Sequence, residues 1–172
     1  MSKEQRYLLQ SGGIFACWKP YCVATVLGSG VAVCLCDPIA KVGGVSHFTL
    51  PKSKEIKDKD KRKHMTTHAA ENSLPHLLKM MYEMGASRAN IGAHIVGGGS
   101  SSLCNSKNIG KKNIETAKKY LKKNKIQVVN EDTGYSWGRK VLFNTGNGEI
   151  IVYKLRNIRE RDWNADKSFN NR

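Results

Sequence analysis

The stretch that decides the fold covers residues 25–51 and reads TVLGSGVAVCLCDPIAKVGGVSHFTLP. Residues 22–36 are rich in valine and small side chains, and they are interrupted by the LGSG run at residues 27–30. This pattern predicts two strands separated by a tight turn or bend. Residues 41–50 predict a further strand, which ends at Pro51.

Outward from this stretch, residues 72–84 carry an apolar stripe at helical spacing, formed by Leu74, Leu77, Leu78, Met81 and Met84. The spacing predicts an amphipathic helix whose stripe lies in the core. Pro75 is placed in its first turn, where a missing N–H costs little, and Gly85 is expected to end it.

The remaining pattern alternates strands and helices. It predicts a strand over 90–96, a lysine-rich helix over 112–123, a strand over 126–129, and a hairpin formed by 140–144 and 149–155. The inward stripe of the second helix is Ile114, Ala117, Tyr120 and Leu121. We therefore expect an α/β layered sandwich, with helices packed on a mixed β-sheet, in one domain spanning 1–172. The polar tail over 156–172 is expected to be loosely held.

Length and composition limit the class of protein. The 172 residues are 40% hydrophobic, which suits a globular chain with one core. No apolar run approaches the roughly 20 residues needed to cross a bilayer. The N-terminal MSKEQRYLLQSGG lacks the apolar core of a signal peptide, so a cytoplasmic location is expected.

The cysteines indicate buried thiols rather than disulfides or a metal centre. An odd, unevenly spaced set is a poor disulfide framework. Further ligands at metal-binding spacing are not evident, and neither a cofactor nor a metal is predicted. The five are Cys17, Cys22, Cys34, Cys36 and Cys104.

The chain is strongly basic, with 29 Lys and Arg against 14 Asp and Glu and a net charge of +15. This balance favours an acidic partner, although a lysine-rich solvated surface is the simpler interpretation. Much of the excess lies in residues 52–63 and 111–125. The lysine-rich helix lacks the interleaved aromatics of a nucleic-acid surface, and the GGGS run at 97–100 lacks the Gly-Lys-Ser/Thr of a phosphate loop.

Several motifs in a fixed order carry a resemblance to a known family. TVLGSGVAV at 25–33 and GGVSHFTLP at 43–51 are followed by ENSLPHLL at 71–78, HIVGGGSSS at 94–102, NIGKKN at 108–113 and GRKV at 138–141. Over about residues 10–155 the chain resembles the CheD family of chemoreceptor glutamine deamidases. It departs from the family pattern at Glu71, where an aspartate is usual, and at Tyr135, where a second glycine is usual.

The resemblance implies a set of site residues. The family's nucleophilic cysteine corresponds to Gly30, its histidine base to His47, and a threonine that orients the base to Thr25. Gly28 and Ser29 belong to the turn that would aim backbone N–H groups at an oxyanion. In the family, the cysteine attacks a receptor glutamine, ammonia leaves, and water frees the glutamate.

Gly30 has no side chain and therefore cannot attack a substrate. Losing the nucleophile of a covalent mechanism usually costs several orders of magnitude in rate. Cys22, Cys34 and Cys36 are too far along their strands to substitute without a different chain path.

Three functions stay open at this point. The chain is a deamidase of methyl-accepting chemoreceptors, or a non-catalytic module that docks chemoreceptors or a CheC-type phosphatase, or, less favoured, a nucleic-acid binder. The resemblance implies neither nucleic-acid binding nor membrane insertion. Of the remaining histidines, only His64 and His68, at i and i+4, have a ligand-like spacing, and without a third ligand nearby this pair is interpreted as surface residues.

Overall fold

The computed structural model describes residues 5–55, 57–59, 66–100 and 108–163. Its strands are β1 (Gln5–Leu8), β2 (Ile14–Cys17), β3 (Tyr21–Leu27), β4 (Val31–Asp37), β5 (Val42–Phe48), β6 (Gly92–Gly97), β7 (Gln127–Thr133), β8 (Gly138–Asn144) and β9 (Ile150–Leu155). The helices are α1 (Ala70–Glu83) and α2 (Ile109–Lys123). Short 3-10 turns occur at Ser53–Glu55, Thr66–His68 and Glu160–Trp163.

The strands form two sheets rather than one. The first has the order β1-β3-β8-β9 and the second has the order β2-β5-β4-β6-β7. Each sheet is mixed, because β1 pairs with β3 and β6 pairs with β7 in parallel, while the other pairs are antiparallel. The LGSG run joins β3 of one sheet to β4 of the other, so this turn is a corner between the sheets and not a hairpin.

Two apolar clusters hold three layers together. Val23, Leu27 and Phe143 of the first sheet pack against Ala32 and Val96 of the second. The other face of the second sheet packs on the helices, and Val33, Ile95, Leu77, Met81 and Leu121 belong to that cluster. Burying large aliphatic and aromatic side chains on both faces of the five-stranded sheet is the main source of stability. The α/β layered sandwich expected from the sequence is confirmed, with the layer order sheet, sheet, helices.

The predicted helices are present, with one correction. α1 begins at Ala70, two residues before the predicted start, so Pro75 lies in the second turn and not in the first. The bridge between Leu50 and Ala69 brings the chain into the helix earlier than the apolar stripe suggests. Gly85 adopts a φ of +93° directly after the C-cap, as expected for a glycine that ends a helix.

Three elements were not foreseen from the sequence. β1 and β2 are four-residue strands without a clear alternating pattern, and they form because β3 and β5 offer edges to pair with. In the described part of the polar tail, Glu160–Trp163 forms a 3-10 turn near β3 without a buried residue, and the expectation of a loosely held tail stays a prediction. None of the helices in the described parts of the chain is long and apolar enough to cross a membrane.

Candidate active site

The corner between the two sheets is fixed by its carbonyl groups. Gly28 O accepts from Gly99 N at 2.8 Å, and Gly30 O accepts from Gly98 N at 2.7 Å. Between them, Ser29 O accepts a hydrogen bond from a side chain of α2. In a trans peptide the N–H lies opposite the carbonyl of the preceding residue, so the Ser29 and Gly30 N–H groups point away from the segment that anchors the carbonyls.

The side chain that binds Ser29 O is Asn113, which is fully buried. Asn113 Nδ2 donates to Ser29 O at 3.0 Å and to Thr49 O at 2.8 Å. It therefore ties the corner after β3 to the chain that leaves β5. Sequence reasoning missed this residue, although its position in the NIGKKN motif, on the inward side of the helix, was a signal that could have found it.

His47 lies beside this corner and is only 3% exposed. Its Nδ1 is 2.9 Å from Thr25 Oγ1, and the Thr25 hydroxyl donates its proton to Leu9 O at 2.8 Å. A carbonyl can only accept, so the threonine oxygen is left to accept from an Nδ1–H of His47. This fixes the tautomer in which Nε2 carries the free lone pair, which is the form that can act as a base.

Nε2 faces Gly30. An ideal Cβ built on Gly30 lies 2.8 Å from His47 Nε2 and 3.0 Å from Phe48 O. A side chain at position 30 would thus emerge directly against the ring. The structure brings together Thr25, His47 and Gly30, although they lie on or beside three different strands.

Burial, and after it the nearby His68, together lower the pKa of His47 to about 4. At neutral pH the imidazole is therefore uncharged and able to take a proton. The interpretation of His68 as a surface residue is wrong: it is half-buried, its Nδ1 is 3.5 Å from Thr49 Oγ1, and it accepts two backbone N–H bonds at its carbonyl. His64 lies outside the described residues.

The cysteines among the described residues form no disulfide with one another and lie in or near the core. Burial raises the pKa of Cys34 far above its usual value, and burial with the nearby Asp37 raises the pKa of Cys36 to about 11. Both are therefore protonated at neutral pH, which disfavours either of them as a relocated nucleophile. Cys104 lies outside the described residues. Within the described ranges, no three potential metal ligands of the His, Cys, Asp and Glu types form a group.

A second buried polar residue, Arg139, supports the segment next to the corner. Its guanidinium donates to Asp132 Oδ1 at 3.0 and 2.8 Å and to the carbonyls of Gly134 and Trp137. This holds the turn that carries Tyr135, whose carbonyl accepts from Ser100 N just after the glycines that anchor the corner. Arg139 belongs to the GRKV motif, but its buried position was not foreseen from the sequence.

Comparison with known proteins agrees with this architecture. Residues 49–154 match a family model described as CheD chemotactic sensory transduction. A probable chemoreceptor glutamine deamidase CheD of Methanococcus maripaludis is 37% identical over 148 residues, covering 85% of this chain and 93% of that protein. The chemoreceptor glutamine deamidase CheD of Thermotoga maritima is 38% identical over 129 residues, covering 75% of this chain and 78% of that protein.

The structure defines a layered α/β protein in which a buried histidine, held by a threonine, lies beside a corner between two sheets. The length and identity of the sequence matches then decide which family it belongs to. The chain belongs to the CheD family.

Proposed function

We propose that this protein acts in chemotaxis adaptation on the glutamine side chains of methyl-accepting chemoreceptors in the cytoplasm. The relatives that share its fold are named chemoreceptor glutamine deamidases. One observation carries the proposal: an ideal Cβ built on Gly30 points at His47 and lies 2.8 Å from its Nε2 atom. This is where a nucleophile at position 30 would meet its base.

The chemistry of a cysteine at position 30 would follow from this geometry. His47 Nε2 would take the thiol proton, and the thiolate would attack the carboxamide carbon of glutamine. The Ser29 and Gly30 N–H groups would stabilise the developing oxyanion. Ammonia would leave with the proton returned by His47, and water would hydrolyse the thioester to glutamate. Thr25 would keep the imidazole in the correct tautomer throughout.

Gly30 removes the first step of this sequence. We therefore propose that the chain retains the binding and base machinery and that its deamidation is impaired by several orders of magnitude. The alternative, favoured by Gly30 itself, is a non-catalytic module that docks chemoreceptors or a CheC-type phosphatase.

The test is mass spectrometry of a glutamine-containing chemoreceptor fragment incubated with the natural chain and with Gly30→Cys. Conversion of glutamine to glutamate adds about one dalton. We expect conversion by Gly30→Cys only. A cysteine at this position requires the His47 ring or the corner to shift, since its Cβ would otherwise lie 2.8 Å from Nε2 and 3.0 Å from Phe48 O.

Two further variants in the Gly30→Cys background assign the roles. His47→Gln is expected to abolish conversion, and Thr25→Val is expected to reduce it while Thr25→Ser retains it. Conversion by the natural chain that depends on Cys34 or Cys36 would overturn the assignment of position 30. Binding of the fragment without conversion by either chain would favour the docking module.

A further inference from the structure

A basic groove lies beside the candidate active site. One wall is the segment after β5, with Lys52 and Lys54, and the other is the exposed face of α2, with Lys112, Glu115, Thr116 and Lys119. The groove has a volume of about 330 Å³. Its helix wall repeats at i, i+4 and i+7, so Lys112, Thr116 and Lys119 project from one face. We name this feature the lysine groove.

The four lysines of the lysine groove are solvent-exposed and none of them forms a salt bridge with a described residue. The only acidic residue of the described lining, Glu115, pairs with Lys111 at 3.9 Å on the helix surface. The charges of Lys52 and Lys54 also help to lower the pKa of the Glu71 carboxylate, which lies next to the loop wall. With four lysines against Glu115 and Glu71, the groove and its rim keep a net positive charge. Such a surface attracts and orients a carboxylate-rich partner.

The wall formed by the loop is held in place. Glu71, at the start of α1, accepts from Ser53 N at 2.7 Å and from the Ser53 hydroxyl. Both hydrogen bonds lower the pKa of Glu71, and the bond from the Ser53 side chain has the larger effect. The carboxylate therefore stays charged and holds the 3-10 turn against the start of α1. Lys52 and Lys54 lie on either side of Ser53. Because Ser53 is held by Glu71, the backbone that carries these two lysines has a defined position before a partner binds.

The lysine groove is linked directly to the corner. Lys112 precedes Asn113, whose amide binds Ser29 O and Thr49 O, and Thr49 lies two residues before Pro51 at the mouth of the groove. The lysine groove is therefore built on the same helix and the same segment after β5 that hold the Gly28–Gly30 turn. The described lining contains no aromatic side chain on which a nucleic-acid base could stack.

We propose that the lysine groove binds an acidic helical segment of the protein substrate and thereby presents the neighbouring glutamine to the corner. This inference rests on the proposed function and names the surface that selects its substrate. The occupant is a polypeptide rich in glutamate or aspartate. The net charge of +15 brings such a partner close, and the groove sets its register.

The experiment measures binding of a labelled helical peptide of about 20 residues, long enough for a stable helix, with several glutamates around one glutamine. Fluorescence anisotropy is recorded with the natural chain, with Lys112→Glu/Lys119→Glu and with the control pair Lys122→Glu/Lys123→Glu. The control pair changes the net charge of the protein by the same amount as the groove pair, but on the exposed last turn of the same helix. Circular dichroism verifies that both variants are folded.

We expect the groove pair to weaken binding at least about fivefold more than the control pair, because only the groove charges contact the peptide directly. A peptide with serines in place of its glutamates should bind weakly to all three chains. Equal losses in both variants would overturn the proposal, since they would show attraction by net charge alone. Duplex DNA that binds more tightly than the peptide and is lost in the same variant would assign the groove to nucleic acid instead.

This binding assay uses the natural chain with Gly30 and involves no catalysis. Its outcome is therefore separate from the deamidation test. Groove-dependent binding without conversion by Gly30→Cys would leave the lysine groove as a docking surface and contradict the proposed reaction. Conversion by Gly30→Cys that is unchanged in the groove pair would contradict the substrate-presenting role and leave the reaction standing.

Discussion

Asn113 Nδ2 lies 3.0 Å from Ser29 O and so joins α2 to the corner between the two sheets across 84 positions of the chain. The same amide reaches Thr49 O at 2.8 Å. Asn113 is fully buried. Its two donated hydrogen bonds take the place of the water molecules that Ser29 O and Thr49 O lose on folding. The corner at the candidate active site thus depends on a helix residue and not on its own turn sequence alone.

We expect Asn113→Ala to lower the free energy of unfolding by about 2 kcal/mol, because two carbonyls lose their donor and a small cavity forms. Urea denaturation gives the value. Asn113→Asp is the matched control for volume, since it fills the same space without an amide donor. It should be at least as destabilised as the alanine variant. A stable Asn113→Asp protein would show that packing, and not hydrogen bonding, is what Asn113 contributes.

Gly30 and Gly28 should respond differently to a methyl group. A Cβ at Gly30 would lie 2.8 Å from His47 Nε2 and 3.0 Å from a backbone oxygen, whereas one at Gly28 would meet only Ile158 Cδ1, at 3.5 Å. We expect Gly30→Ala to cost about 1–3 kcal/mol and Gly28→Ala to cost less than about 0.5 kcal/mol. Thermal or urea unfolding separates the two.

The cost at Gly30 should depend on the histidine ring. Combining Gly30→Ala with His47→Ala removes the closest contact, and so the double variant should be less destabilised than the sum of the single changes. An additive result would place the strain at the Phe48 backbone oxygen instead of at the ring.

The lowered pKa of His47 predicts a pH dependence of stability. The folded state disfavours the charged imidazole, with a pKa of about 4 against an ordinary 6.5. Between these two pH values the unfolded state binds more protons, so stability is lost as the pH falls from about 6.5 towards 4. The His47 contribution to this loss is up to about 3 kcal/mol.

Urea midpoints measured across this pH range should therefore decline less steeply for His47→Gln than for the natural chain. His68, whose pKa burial also lowers, remains in the variant and retains part of the slope. Identical slopes in the two proteins would indicate that His47 takes up a proton in the folded state as readily as in the unfolded state.

Tyr135 carries backbone strain. Its φ is +58°, in the left-handed region that L-residues with a side chain disfavour, and its side chain is 79% exposed. Tyr135→Gly should therefore be about 1 kcal/mol more stable than Tyr135→Ala, which loses the ring but keeps the strain. Equal stability of the two variants in urea would show that the left-handed conformation costs little here.

The sequence determined much of this protein by itself. Local patterns predicted the two strands on either side of the LGSG run, the apolar stripe of α1, the glycine that ends α1, and the hairpin of β8 and β9. Each of these depends on periodicity or on a residue's own backbone preference. The fixed order of motifs indicated the CheD family, and Gly30 led to the prediction, which stays a prediction, that the nucleophile is missing.

Only the tertiary structure decided which distant residues meet. The division of the strands into two sheets, the short strands β1 and β2, the donor Asn113 and the half-buried His68 all depend on pairing and packing between segments far apart in the chain. The tautomer of His47 likewise follows from Leu9 O, which receives the Thr25 proton. Apart from Asn113, which its position in the NIGKKN motif could have indicated, such contacts leave no local signal, because their energy arises from partners that the sequence does not place side by side.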